Sequence, residues 1–271
     1  MEFGAQSDTG CVRGNNEDSF RVAPEMNLFV LSDGMGGLAS GEVASRLAVE
    51  TVLAHCREAE ANPSLPLHGQ RIEGVSGISN RLASAARLAN EVVHDAAKHD
   101  GAEQRMGATV VAVRFDGERM SLVHVGDSRA YRLRGDELEQ LTQDHSFVAE
   151  QMRRGRMTEQ EAGSSALQSV LIRALGIEPE VDVDVSEELV MEGDTVLLCT
   201  DGLTRELTDA QVAAVLAESD DAQEAADRLI DLAKQAGGGD NITTIVLRRA
   251  PKLVGAFARI GRLGKWFKDS V

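Results

Sequence analysis

Four aspartates lie at or beside the ends of apolar segments, and each has a glycine as its neighbour. The pairs are Asp33–Gly34, Gly126–Asp127, Asp201–Gly202 and Gly239–Asp240. One such acid is explained by a turn or a helix cap, since aspartate favours both. If all four strand ends converge, the carboxylates repel one another strongly at low dielectric, and a cation would offset that repulsion. Oxygen ligands without a partner histidine or cysteine indicate Mg²⁺ or Mn²⁺.

The neighbouring glycines and an N-terminal arginine extend this chemistry to a phosphate group. Without a Cβ the backbone can approach an ion closely, and the carbonyl of Gly34 or Gly202 could itself be a ligand; an ordinary turn is the alternative. Near the N-terminus, Arg13, Glu17 and Asp18 form a polar group. An arginine near a metal cluster can hold a phosphate by paired hydrogen bonds. These residues therefore indicate a binding site for a substrate that carries a phosphate group.

The spacing of apolar residues around these sites predicts strands and helices that come in blocks, without regular βαβ alternation. Strands are predicted at 27–33, 107–115, 120–127, 129–138, 194–201 and 241–249, and helices at 41–61, 78–99, 208–219 and 222–237. The turn at Asp116 and Gly117 implies antiparallel pairing. Residues 147–165 predict polar helical material, interrupted at Gly155 and Gly163, outside the core. We therefore predict an α+β fold, with two packed sheets and helices outside.

Composition excludes several classes of protein. The 271 residues include 42% hydrophobic residues, and no run approaches the roughly 20 apolar residues of a membrane span. The N-terminus lacks the features of a signal peptide, which predicts a cytoplasmic protein. A net charge of −16 argues against nucleic acid as a partner. The three cysteines have no CxxC spacing, and we expect reduced, buried thiols.

Seven motifs, in family order, resemble the metal-dependent Ser/Thr protein phosphatases of the PP2C (PPM) family in their short bacterial form. They are RGNNEDSF (13–20), LSDGMGGLASGEVAS (31–45), MGATVVAV (106–113), VHVGDSRAYRLR (123–134), LTQDHS (141–146), LLCTDGLT (197–204) and GGGDNITTIVL (237–247). One motif alone would be weak, but the ordered set, which covers about residues 2–249, is specific. The resemblance implies a central antiparallel β-sandwich flanked by antiparallel helix pairs, a four-layer αββα arrangement with the metal site at one end.

The resemblance also implies a metal centre of two Mn²⁺ or Mg²⁺ ions with a third, weaker ion. The ligands would be Glu17, Asp33, Gly34, Asp127, Asp201 and Asp240, supported from behind by Asp18 and Asn241. Asp33 would bridge the first two ions, and Glu17 would act mainly through a bound water. Asp127 and Asp201 would share the third ion. Arg13 would hold the phosphate.

The implied reaction is hydrolysis of phosphoserine and phosphothreonine on proteins by a metal-activated water. The chain departs from the family in the turn after the bridging aspartate, where members often carry a histidine and this chain has Met35 and Leu38. The leaving group would then take its proton from a metal-bound water, or from His145 if that side chain reaches the site.

The predicted organisation is a phosphatase domain over residues 1–250, with a flap at about 143–176, and a tail at 251–271. The resemblance implies that the flap contacts the protein substrate and varies specificity. The tail lies beyond the resemblance, carries a net charge of +4 and has apolar residues at helical spacing. A basic amphipathic helix of this kind could pack on its own acidic body, dock on a partner or lie on an anionic membrane.

Two functions are consistent with the sequence, and a third is less well supported. The favoured one is a monomeric enzyme of signal transduction that opposes a bacterial Ser/Thr kinase and acts on phosphoproteins, which could include that kinase. The alternative is a phosphoprotein-binding pseudophosphatase on the same fold, suggested by the missing histidine. A calcium-binding structural protein is disfavoured because the sequence has no EF-hand loop. The four aspartates favour the enzyme over the binding module, because convergent acids cost folding stability and a protein without metal chemistry has no reason to keep them.

Overall fold

The described part of the chain contains eleven strands, seven α-helices and one short 3₁₀ helix at Pro24–Met26. The structure, a computed structural model, describes residues 1–36, 40–99 and 106–249. The strands are β1 (Glu2–Asp8), β2 (Asp18–Ala23), β3 (Leu28–Met35), β4 (Gly107–Ala108), β5 (Val110–Asp116), β6 (Arg119–Val125), β7 (Arg129–Arg134), β8 (Glu137–Gln140), β9 (Asp184–Leu189), β10 (Thr195–Cys199) and β11 (Ile242–Arg248). The helices are α1 (Ser40–Ala61), α2 (Gly77–His99), α3 (Phe147–Arg153), α4 (Glu159–Gly163), α5 (Asp201–Thr204), α6 (Asp209–Glu218) and α7 (Ala222–Ala236).

The strands form two antiparallel sheets. One has the order β1-β11-β10-β7-β8, and the other has the order β2-β3-β5-β6-β9 with the short β4 beside β3. In the second sheet, Asp18 of β2 pairs with Asp33 of β3. Two acids therefore lie directly opposite each other at one end of this sheet, where like charges are destabilising unless something offsets them.

Buried apolar side chains form three layers and hold the sheets and helices together. The layer between the sheets includes Phe29, Leu31, Val111, Met120, Leu198 and Ile245. On the outer faces, α1 and α2 pack on the six-stranded sheet, and α5, α6 and α7 pack on the five-stranded sheet. Central strands such as β5 and β10 are buried on both faces, which explains their continuous apolar sequences. The predicted four-layer αββα sandwich is confirmed.

Capping residues in the sequence explain where the helices that pack on the five-stranded sheet begin and end. Thr208 accepts a hydrogen bond from the Gln211 backbone and Gln211 returns one, which forms a capping box at the start of α6. Asp221 caps α7, which ends before Gly237. The apolar face of α7 lies on β1 and β11 and fixes these strands, which flank the candidate site.

The sequence-based element prediction is wrong at five strands. It missed β1, β2 and β9, whose polar and half-buried residues give no clear alternation. The strand predicted at 107–115 is interrupted at Thr109, and the one predicted at 129–138 is the β7–β8 hairpin. The hairpin turns at Gly135, whose φ of +58° belongs to the left-handed region.

The cysteines partly contradict the expectation of buried thiols. Cys56 and Cys199 are buried, and burial raises their pKa values to about 11 and about 12. Cys11 is exposed in the loop after β1, so for this residue the prediction is wrong. The predicted tail at 251–271 and Leu38 lie outside the described residues. None of the helices within the described residues is long and apolar enough to cross a bilayer.

Candidate metal centre

Both sheets contribute acids to one end of the sandwich. Asp33 lies in β3 opposite Asp18, Asp201 begins α5 directly after β10, and Asp240 lies just before β11. The carboxyl groups of Asp33 and Asp201 lie close enough to affect each other's ionisation. The structure therefore brings together acids that are far apart in the sequence.

Burial and mutual repulsion disturb the ionisation of these acids. Burial is the larger cause of the raised pKa of Asp33, and Asp18, Asp201, Asp127 and Asp240 add to it by charge repulsion. Burial also raises the pKa of Asp18 to about 7 and that of Asp127 to about 8, and it raises the pKa of Asp201. Carboxyls in such a cluster resist ionisation unless positive charge is supplied.

Two buried carboxylate oxygens in this cluster have no hydrogen-bond partner among the described residues. They are the Oδ1 atoms of Asp18 and Asp201. A buried acceptor without a partner costs about 1 to 3 kcal/mol. Hard divalent cations prefer this type of ligand, and the donor set contains carboxylate oxygens and no sulfur. The residues present therefore fit a Mg²⁺ or Mn²⁺ centre.

Glycines allow the backbone to close tightly around Glu17. A Cβ on Gly34 would lie 1.9 Å from the Gly41 carbonyl oxygen and 2.7 Å from that of Glu17. The Gly34 N–H donates to the same Glu17 carbonyl at 3.1 Å. A Cβ on Gly41 would lie 2.6 Å from Glu17 Oε2. Only glycine fits at these positions, which bring the Glu17 side chain to the start of α1.

Asp18 joins the two sheets behind the cluster. Its Oδ2 accepts hydrogen bonds from the hydroxyls of Thr243, at 2.6 Å, and Thr200, at 3.0 Å. Thr200 Oγ1 also accepts from the Thr243 N–H at 2.9 Å. Because Thr200 precedes Asp201 directly, this network fixes the start of α5. Neither threonine was identified from the sequence, since a contact between sheets leaves no local pattern.

Asn241 holds the N-terminal loop against the cluster. Its Oδ1 accepts from the Glu17 N–H at 2.8 Å, and its Nδ2 donates to the carbonyls of Thr9 and Asn15, both at 2.9 Å. Each polar atom of the Asn241 side chain is therefore used. These bonds position the loop that carries Arg13.

Two arginines contact the acids of the cluster. Arg13 donates to Asp240 Oδ2 at 2.9 Å, and its side chain is 52% exposed. Arg205 lies 3.1 Å from the same oxygen and also forms an ion pair with Asp201. Sequence reasoning missed Arg205, although its position four residues after Asp201 at a helix start was a usable signal. Arg13 leaves part of its guanidinium available to a ligand.

His145 lies in a buried network beside the Asp127 loop. Its Nδ1 accepts from the Gly126 N–H at 3.0 Å, and its Nε2 lies 3.3 Å from Asp184. Its ring stacks on His124 with centroids 4.7 Å apart. Burial, with His124 and Arg173 nearby, lowers the pKa of His145 to about 4. The imidazole is therefore neutral at neutral pH, and its role as a proton donor stays a prediction that these contacts argue against.

His124, His145 and Asp184 form a group whose potential ligand atoms lie within 4.8 Å of one another. The Arg173 guanidinium occupies this group, at 3.0 Å from His145 Nε2 and in an ion pair with Asp184. A neutral imidazole that binds a metal through Nε2 must carry its proton on Nδ1, where the Gly126 N–H already points. The group therefore forms an ion-pair network and not a metal centre.

Comparison with known proteins agrees with this architecture. The profile of the family described as protein phosphatase 2C matches residues 13–235. The chain is 39% identical over 247 residues to the serine/threonine protein phosphatase PstP of Mycobacterium tuberculosis, covering 91% of this chain and 44% of PstP. It is 33% identical over 247 residues to the serine/threonine phosphatase stp of Listeria innocua, and the match covers 90% of this chain and 94% of the Listeria protein.

A solved structure gives the same result for the fold. The crystal structure of the catalytic domain of PstP in complex with two manganese ions matches with a TM-score of 0.76 at 36% identity, covering 90% of this chain and 96% of that one. The chain therefore belongs to the protein phosphatase 2C family, in its bacterial branch. It spans less than half the length of PstP and nearly the whole length of the Listeria relative.

Proposed function

We propose that this chain is a metal-dependent phosphatase that removes phosphate from phosphoserine and phosphothreonine on proteins. The observation that carries the proposal is the convergence of buried and half-buried acids from both sheets. One oxygen each of Asp18 and Asp201 has no partner among the described residues, and Arg13 lies at the rim. The relatives named above as serine/threonine phosphatases support the same activity.

The acids would hold two divalent cations and a third, weaker one. The proposed ligands are Glu17, Asp33, the Gly34 carbonyl, Asp127, Asp201 and Asp240. The two manganese ions bound to PstP support Mn²⁺, and Mg²⁺ has the same ligand preference. When bound, such cations supply Lewis acidity, which lowers the pKa of water and offsets negative charge on a phosphoryl group.

The chain's own residues would orient the phosphate. Arg13 has five N–H donors in a planar fork, of which its contact with Asp240 uses one nitrogen. A phosphate bound at the acid cluster would therefore meet a guanidinium that can donate two parallel hydrogen bonds. Asn241 keeps that arginine's loop in place through Thr9 and Asn15. Arg13 is thus the proposed phosphate-binding residue.

The pseudophosphatase alternative was suggested by the missing histidine, and the relatives named as serine/threonine phosphatases do not support it. The retained acid cluster is the stronger observation, because repulsion among buried acids costs stability that a module without metal chemistry has no need to bear. We further propose that the chain acts as a monomer on phosphoproteins, among them the Ser/Thr kinase that it opposes. The net charge of −16 supports proteins over nucleic acid as partners. A cytoplasmic location stays a prediction.

Turnover assays test the proposal. Hydrolysis of p-nitrophenyl phosphate and of a phosphothreonine peptide should require Mn²⁺ or Mg²⁺ and stop with EDTA. Asp201→Asn should reduce kcat/KM at least about 100-fold, because it removes a charged ligand. The matched control is Asp227→Asn, an exposed position on α7, which should keep full activity. A native chain that binds metal and phosphopeptide yet turns over neither substrate would establish the pseudophosphatase instead.

A further inference from the structure

A groove of about 550 Å³ opens beside the candidate metal centre. Met35 and Gly36, at the end of β3, line one side, and residues between 171 and 182 line the other. Met35 follows Asp33 by only two positions, so the groove starts where the acid cluster ends. A polypeptide whose phosphorylated side chain reached the cluster would have its neighbouring residues near this groove.

The floor of the groove is apolar and is built over a glycine. A Cβ on Gly107 would lie 2.7 Å from Met35 Cε and 3.0 Å from Ile177 Cδ1, so the absent side chain makes room for both. Ile177 is 38% exposed and Ile172, also in the lining, is 50% exposed. Exposed apolar side chains grouped in a concave surface indicate a binding site for a partner.

Acidic side chains surround this apolar floor. Glu178, Glu180 and Asp182 line the groove and are exposed. The cation in the described lining is Arg173, which already forms an ion pair with Asp184. The described lining therefore carries a net negative charge. Its electrostatic complement is a segment that carries lysine or arginine next to an apolar side chain.

We propose that this groove binds the segment next to the phosphorylated residue of the substrate, and that it selects segments rich in arginine or lysine. The inference rests on the proposed phosphatase function and adds the class of substrate. An apolar side chain of the substrate would cover Ile172 and Ile177, while its basic neighbours would face the three acids. Such a charge pattern contributes more to specificity and association rate than to affinity alone.

The decisive measurement is the ratio of the kcat/KM values for two peptide substrates. Two phosphothreonine peptides of equal length, one with arginines and one with glutamates beside the phosphothreonine, are compared by kcat/KM. The native chain should prefer the arginine peptide about tenfold. The groove variant Glu178→Lys, Glu180→Lys, Asp182→Lys should lose or reverse this preference. Because the ratio is taken within each protein, a general change in activity cancels.

A matched variant carries the same change of charge elsewhere. Asp116, Asp136 and Glu137 are exposed and lie at the turns that end β5 and β7, about 20 Å along the strands from the acid cluster. Replacing these three residues with lysine should leave the peptide preference intact. The preference of the native chain should also weaken between 50 mM and 500 mM NaCl, a test that needs no variant.

The outcomes separate the groove from the phosphatase activity. Anisotropy of a fluorescein-labelled, unphosphorylated arginine peptide reports docking without turnover, and we expect weaker binding to the groove variant than to the matched variant. Equal kcat/KM for both peptides in the native chain, a preference for glutamate, or an unchanged preference in the groove variant would overturn the proposal. If the chain binds the arginine peptide selectively but does not hydrolyse p-nitrophenyl phosphate, the proposal for the groove is supported and the proposed phosphatase activity is contradicted.

Discussion

The guanidinium of Arg205 lies 3.1 Å from the carboxylate of Asp240, at the end of the five-stranded sheet where the acids converge. It also forms an ion pair with Asp201, four residues before it. The chain thus supplies a positive charge of its own to the acid cluster, and this charge counteracts the raised pKa of Asp201. A divalent cation bound as proposed would use the same carboxylates, so Arg205 and the metal would compete for them.

Replacing Arg205 with glutamine should strengthen metal binding. The variant loses the competing ion pairs and the repulsion between guanidinium and cation, so we expect a Kd for Mn²⁺ about tenfold lower by calorimetry. The metal-free variant should have a lower Tm, because its acids lose their internal counter-charge. Arg228→Gln, which breaks a similar pair with Glu218 away from the cluster, is the control and should change neither quantity much. An unchanged Kd in the Arg205 variant would show that no competition exists.

Replacing Arg13 with alanine should reduce kcat/KM by about 100-fold for p-nitrophenyl phosphate and phosphopeptides alike, because both substrates present the same phosphate group. Arg13→Lys should recover only part of the loss, since an ammonium cannot donate the paired hydrogen bonds of a guanidinium. The control is Arg21→Ala, which removes a half-exposed arginine that pairs with Glu50. A loss confined to peptides would assign Arg13 to peptide binding and not to the phosphate.

Adding a methyl group at Gly34 should destabilise the fold. The Cβ of alanine would lie 1.9 Å from the Gly41 carbonyl oxygen, so the β3 and α1 backbones must separate. We expect the free energy of unfolding in urea to fall by about 2 to 3 kcal/mol. Gly77→Ala is the control because nothing in the described part of the chain lies within 4 Å of its Cβ position, and alanine should be neutral or stabilising there. Equal stability of the two variants would mean that the close approach is absent in solution.

The buried His145 should make the folded state sensitive to acid. Burial lowers its pKa from 6.5 to about 4, with His124 and Arg173 adding to the decrease and Asp184 opposing it. Between these values the unfolded chain binds a proton that the folded chain does not. The stability that the folded chain gains by keeping His145 neutral is therefore fully present above pH 6.5. It is lost as the pH falls from 6.5 towards 4, and it does not change further below pH 4.

Urea unfolding of the native chain and of His145→Gln from pH 7.5 to 4.5 measures this contribution. The difference in free energy of unfolding between the two proteins should change by about 2 to 3 kcal/mol across that range. Carboxylates elsewhere titrate in both proteins and cancel in the difference. A difference that does not vary with pH would mean that His145 titrates normally in the folded chain.

Local patterns in the sequence located the acids, and the family motifs located Asp18 and Asn241 behind them, but nothing in the sequence indicated the threonines that hold Asp18. Asp33 and Asp201 were identifiable because an acid and a glycine at the end of an apolar strand form a contiguous signal. Thr243 and Thr200 reach Asp18 only because two sheets pack face to face, and neither has a distinctive neighbour. The fold class followed from blocks of apolar strands and helices.

The missed strands have a related physical cause. β1 and β2 are edge strands of the two sheets, and β9 forms the opposite edge of the six-stranded sheet. Edge strands bury less apolar surface, so their sequences alternate weakly. The groove beside Met35 was also not predictable, because Met35 and Ile177 come from distant parts of the chain and meet where Gly107 leaves room for both.

The pairing of Asp18 with Asp33 on one sheet, opposite acids that flank strands of the other, has a mechanical consequence. An ion held by Asp33 and Asp201 would cross-link the two halves of the sandwich at the end where their charges push them apart. Metal supply would then govern the lifetime of the folded chain as well as its turnover. In metal-poor conditions, this end of the sandwich would be the first part to open to proteolysis and hydrogen exchange.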